Sequence, residues 1–192
     1  MTTHRTHSVD DRLPLGIWIY LMSDCILFAA LFATYAVLHT ATGNGPSGME
    51  IFDRHFVLIE TLLLLTSSFT CGLALIAARA RSKVGTWLAL AVTLVLGLSF
   101  LGMELSEFSK LITEGHGWQQ SAFLSSFFTL VGTHGLHVFI GALWILTLFI
   151  HLAVRGLNAK TERGILYFSL FWHFLDIVWI CVFSLVYLLG SL

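Results

Sequence analysis

Residues 165–189 read ILYFSLFWHFLDIVWICVFSLVYLL. This stretch carries a single formal charge, Asp176, and a single histidine, His173. As a helix rising 1.5 Å per residue it would extend about 37 Å, enough to cross a hydrocarbon core of ~30 Å. Four more stretches read the same way, at residues 15–38, 56–78, 84–108 and 122–154. The fourth is longer than a bilayer needs, which predicts tilt or projection beyond it. None alternates apolar and polar residues as barrel strands do, and lipid offers open strand edges no hydrogen-bond partners. The expected fold is all-α and polytopic, with five transmembrane helices.

Composition agrees. The chain has 192 residues, of which 57% are hydrophobic, 14% aromatic and 11% charged. Soluble domains carry about 25% charged residues, so these charges could not cover a water-facing surface. Net charge is −1 and no basic tract is present, which also argues against a nucleic-acid partner. Residues 1–14 are expected to form a polar N-terminal segment and residues 15–192 one membrane domain. The start lacks a basic tract followed by a short apolar core and cleavage site, so no removable signal peptide is expected.

The connectors carry the orientation signal. Residues 39–54 hold Gly43, Gly45, Pro46 and Gly48 and read as a turn-rich loop. Residues 79–83 form a tight basic link, residues 109–121 a second loop with Gly115 and Gly117, and residues 155–164 a polar basic one. Arg5, Arg12, Arg79, Arg81, Lys83, Arg155, Lys160 and Arg163 fall on one side, Arg54 and Lys110 on the other. The positive-inside rule then puts the N-terminus in the cytoplasm and the C-terminus in the periplasm.

Small residues recur at helix-packing spacing. Thr66, Thr70, Ala74 and Ala78 form an i, i+4 stripe on the second span, and Cys25, Ala29 and Ala33 one on the first. The three cysteines, Cys25, Cys71 and Cys181, sit inside apolar runs at spacings that suggest no disulfide framework, so buried inert thiols are expected. Trp18, Tyr20, Trp118, Tyr167 and Tyr187 fall near span ends and read as an interfacial belt. Trp172 and Trp179 stand seven residues apart and should pack a helix interface.

Ionisable residues inside a membrane are costly and are functional candidates by default. Here they are Asp24, Glu60, Glu104, Glu107, His134, His137, His173 and Asp176. Asp24, His173 and Asp176 lie mid-span, whereas the three glutamates lie nearer the opposite end, Glu107 within reach of water. Four readings stand open on residue type. Glu104 with Glu107 and His134 with His137 share helix faces at i, i+3, as metal ligands would, although di-iron bundles place Glu and His on one helix. His134, His137 and His173 could supply axial haem ligands. Asp24 and Asp176, at similar depth, could relay protons as the core of an independent proton-coupled transporter. The fourth reading is that these groups hydrogen-bond between helices and fix the packing.

Four segments carry a resemblance: WIYLMSDCILFAALFATYAVL from Trp18, SFLGMELSEF from Ser99, GTHGLHVFIGALW from Gly132 and FWHFLDIVWICVFSLVYLLG from Phe171. Together they resemble subunit III of the haem–copper terminal oxidases, and most closely its cytochrome o ubiquinol oxidase branch. The chain resembles the last five of the seven helices usual in cytochrome c oxidase members. The family's acidic residue early in the corresponding helix is usually Glu; here it is Asp24, one methylene shorter.

The resemblance implies a non-catalytic subunit of the bacterial inner membrane. Haems and copper would be carried by subunit I, and ubiquinone would be the holoenzyme's electron donor. Subunits I, II and IV and membrane phospholipids would be the partners. The implied role is assembly, stability and sustained proton uptake by subunit I. Asp24, Glu60, Glu104, His134, His137, His173 and Asp176 match the family's polar positions as structural or lipid-cleft residues. Asp24 is the best placed of them for a proton-linked influence. The resemblance thus favours interhelical pairing over the metal, haem and relay readings.

Overall fold

The computed structural model describes residues 13–42, 54–115 and 117–188. Among them five helices are long and apolar enough to cross a membrane. They are α1 (Leu13–Leu38), α2 (Arg54–Arg79), α3 (Lys83–Thr113), α4 (Ala122–Arg155) and α5 (Ala159–Val182), the last running on into a π-helical turn, Phe183–Leu188. The polar N-terminal segment up to residue 12, with Arg5 and Arg12, lies outside the described residues, as does most of the glycine-rich loop.

Two spans are longer than the apolar runs suggest. α3 continues five residues past Phe108 and α5 begins six residues before Ile165. Apolar composition marks where lipid lies, whereas backbone hydrogen bonding continues into the interface until a cap stops it. Asn158 caps α5 through its side-chain oxygen, which accepts from the Thr161 N–H at 2.9 Å. Ser82 and Ser121 cap α3 and α4 in the same manner. The link between α4 and α5 is therefore only three residues, and it turns at Gly156, whose φ of +65° suits a residue without a side chain.

Helices α2, α3, α4 and α5 pack as a ring, each against its neighbours, and α1 lies outside it against α4 with a slighter contact to α5. The basic links meet at one end, where the Arg81 guanidinium donates to the Leu157 carbonyl at 3.2 Å. We call this the basic end and the other the far end.

Aromatic side chains of α5 fill the ring in layers. Trp172 sits between two glycines. A Cβ on Gly97 of α3 would come within 2.9 Å of its ring, and one on Gly141 of α4 within 2.6 Å. Its indole N–H donates to Ser67 Oγ of α2 at 3.0 Å, and Ser67 donates in turn to the Thr93 carbonyl of α3 at 3.2 Å. One side chain thus touches every helix of the ring. Trp179, seven residues on and so on the same face, makes the next layer. It donates to Thr61 Oγ1 of α2 at 3.1 Å, meets Phe100 of α3 edge-on at 4.6 Å and lies 5.1 Å from the His134 ring of α4. Both tryptophans pack a helix interface, as their spacing predicts.

Other expectations are corrected. Of the stripe expected on α2, Ala74 and Ala78 are buried and Thr70 half-buried, whereas Thr66 is exposed and Ser67, Ser68 and Cys71 take the inward places. On α1, Cys25, Ala29 and Ala33 all face outward, and the buried row is Leu21, Asp24, Phe28 and Tyr35. Of the thiols only Cys71 is buried; Cys25 and Cys181 are exposed on the bundle surface. A span apolar on every side gives no signal of which face turns inward. Tyr187 is no belt residue. It is 2% exposed and lies in the ring's third layer, because the π turn inserts an extra residue and brings position 187 round to the face of Trp172 and Trp179.

Candidate functional site

The eight ionisable candidates separate into three groups and one lone residue. The first group joins α1 to α4. Asp24 is 7% exposed, and its Oδ2 lies 3.5 Å from His137 Nε2. His137 Nδ1 is 2.7 Å from the Thr133 carbonyl oxygen one turn back. A carbonyl only accepts, so Nδ1 carries a proton. Nε2 is then protonated only in the imidazolium form. With Nδ1 protonated, Nε2 of the neutral ring is an acceptor, so a direct hydrogen bond across this contact needs a proton on one of the two partners. Tyr20, one turn before Asp24, lies beside the same carboxyl. The Phe28 ring lies 5.2 Å from the imidazole and shields the pair.

The second group joins α2 to α5 at mid-depth. Ser68 Oγ is 2.7 Å from His173 Nδ1, and the Asp176 carboxyl stands beside both. These residues edge a groove of 300 Å³ on the outside of the bundle, whose walls include Leu65, Phe69, Leu73 and Ile76.

The third group fills the ring near the far end. Glu60 of α2 is fully buried, Glu104 of α3 is 3% exposed, and Glu107 is partly exposed. The Tyr187 hydroxyl donates to Glu107 Oε2 at 3.1 Å. Glu104 interacts electrostatically with both other glutamates, and all three act on Tyr187. The Glu104 carboxyl lies against the backbone of Gly135 on α4, in the space a Cβ would take. Sequence reasoning found the glutamates and missed Tyr187.

His134 stands alone. Fully buried, it directs Nε2 to the Leu175 carbonyl of α5 at 3.3 Å, its ring between Phe100 and Trp179. The three mid-span histidines thus address three different neighbours: a backbone carbonyl, a carboxylate and a hydroxyl. Asp24 and Asp176 have separate partners and do not meet. Among the described residues no three His, Cys, Asp or Glu side chains are placed to hold one metal ion.

The basic end offers a different surface. A cavity of 170 Å³ between α4 and α5 is lined by His151, Arg155 and Lys160, with Trp144 and Leu148 deeper in the membrane.

A family model for cytochrome c oxidase subunit III matches residues 1–191. The chain is 54% identical to the cytochrome bo(3) ubiquinol oxidase subunit 3 of Pseudomonas aeruginosa, over 97% of this chain and 89% of that one. It is 47% identical to the quinol oxidase subunit 3 of Bacillus subtilis, over 92% and 86%. It is equally 47% identical to a protein named cytochrome c oxidase subunit 3 from Bacillus strain PS3, over 92% and 85%.

Proposed function

This chain belongs to the cytochrome c oxidase subunit III family, and we propose that it supports the large subunit of a proton-pumping quinol oxidase without performing the redox chemistry itself. As subunit III of a quinol oxidase it sits in a membrane complex that takes electrons from quinol. One observation carries the supporting role. Each mid-span histidine is committed to a neighbouring element of its own bundle: His134 to the Leu175 carbonyl, His137 to Asp24 and His173 to Ser68. Such pairing lowers the cost of burying each group and makes the interior a packing device.

Subunits I, II and IV would be its partners, with haems and copper on subunit I and ubiquinone as the electron donor. In the bacterial inner membrane the basic end would face the cytoplasm and the C-terminus the periplasm. The cavity of His151, Arg155 and Lys160 would then lie at the cytoplasmic headgroup level, where basic pockets between helices attract anionic phospholipid. Its cations would hold the phosphate while Trp144 and Leu148 meet the acyl chains. The Asp24–His137 pair is the best placed group for influence on proton uptake, because it sets a buried carboxyl beside an imidazole between α1 and α4.

The test is to compare the complex with and without this chain. Initial quinol oxidation should survive its removal, while activity over prolonged turnover should fall sooner. An activity abolished at the first turnover, or a lifetime unchanged by removal, would contradict the supporting role.

A further inference from the structure

The far-end glutamates have no part in that reading. Glu60 is fully buried, and among the described residues neither of its carboxyl oxygens has a hydrogen-bond partner. Glu104 Oε2 is likewise buried and unpartnered. The two carboxyls and Glu107 feel one another electrostatically without direct hydrogen bonds between Glu60 and Glu104. Buried polar atoms in native proteins find partners, in protein or in ordered water. Two like charges held close in a medium of low dielectric cost far more than in water. A proton on each carboxyl removes the repulsion and supplies a donor.

Among the described residues no cation acts electrostatically on either carboxyl. Glu60 comes from α2, Glu104 and Glu107 from α3 and Tyr187 from the π turn. α4 contributes the Gly135 backbone and the Phe127 ring, 5.9 Å from Tyr187, with His134 in the next layer. α1 contributes the Tyr35 hydroxyl, which donates to the Val186 carbonyl at 3.4 Å. His55 and Lys110 are exposed at the rim. Glu107 is the only one of the three glutamates with partial exposure, so it connects the buried pair to water. The π turn keeps the Tyr187 hydroxyl on that connecting carboxylate.

We propose that Glu60 and Glu104 form a buried proton-binding site, each held as a carboxylic acid, that exchanges protons with water at the far end through Glu107. The ligand class is the proton, carried with bridging water. The site rests on this chain's own geometry and stands whether or not the subunit sustains turnover.

Infrared spectroscopy of the resting assembled oxidase tests it. A protonated carboxyl has a C=O stretch distinct from carboxylate, and the band shifts in deuterated water. Glu60→Gln and Glu104→Gln should each remove one such band, and Glu107→Gln should slow the deuterium shift of both. Glu60→Asp and Glu104→Asp keep a carboxyl and should keep a displaced band, which serves if either glutamine variant fails to assemble. Loss of no band in any substituted complex, as for ionised glutamates around a bound cation, would overturn the proposal. So would exchange of both protons unchanged by Glu107→Gln.

Discussion

Gly141→Ala is the sharpest perturbation of the packing. The added methyl would lie 2.6 Å from Cζ3 of Trp172, 2.9 Å from Cε3 and 3.1 Å from Cε1 of Phe171. The preferred carbon–carbon separation is about 3.5–4.0 Å, so the overlap with the indole approaches 1 Å. The ring cannot simply retreat. Gly97 is already packed against its other edge, at a distance where a Cβ would sit 2.9 Å away, and its N–H is tied to Ser67. Alanine has the better helix propensity, a gain of about 1 kcal/mol. Against it stand overpacking, at about 1–3 kcal/mol, and the indole hydrogen bond to Ser67, at about 1 kcal/mol. The steric side wins, with a net loss of roughly 1–3 kcal/mol from these terms. At about 1.4 kcal/mol per factor of ten, folded subunit should fall several-fold to a hundredfold relative to unfolded chain under denaturing detergent.

The assay is unfolding of the detergent-solubilised complex by tryptophan fluorescence, beside Gly102→Ala as control. Gly102 has open space where its Cβ would go, so that variant should be neutral or slightly more stable. Trp172→Phe in the Gly141→Ala background should recover part of the loss, since the two positions are coupled. Equal stability of Gly141→Ala and Gly102→Ala would refute the reasoning that a single ring wedged between α3 and α4 sets their spacing.

Three other changes probe the polar contacts. Thr61→Val leaves the buried Trp179 N–H without its acceptor and should cost about 1–3 kcal/mol, read in the same unfolding assay. Asp24→Asn removes the carboxyl that faces His137 at 3.5 Å but keeps the shape; the complex should assemble, with proton uptake or working lifetime altered, as followed by proteoliposome acidification over many turnovers. Asp176→Leu removes the carboxyl that stands beside Ser68 and His173 between α2 and α5 and should lower the yield of assembled complex, measured by haem recovered per unit of membrane protein.

The fold was legible because lipid imposes a length rule. Five apolar runs of sufficient length mark five helices, and only the ends of α3 and α5, set by caps, escape it. The pairings within the site were not legible. In a soluble helix the polar side reveals the buried side; in α1 the inward Phe28 and the outward Ile26 are chemically alike. The Asp24–His137 contact needs the rotation of two helices, which no periodicity here supplies. Tyr187 escaped for a more local reason, since an α-helical repeat from Trp179 points to position 186 and the π turn adds one residue. The electron donor was legible only through resemblance, and the margin is modest: a relative named for ubiquinol reaches 54% identity, one named for cytochrome c 47%.

The central claim is that this bundle serves a larger redox subunit. The most direct measurement is affinity purification of the tagged chain from gently solubilised membranes, followed by absorbance and metal analysis of what accompanies it. The account predicts co-purification of a large membrane subunit bearing haem and copper, with quinol oxidase activity in the eluate. A chain that elutes alone or with proteins free of haem and copper, while the membranes retain their quinol oxidase, would contradict it.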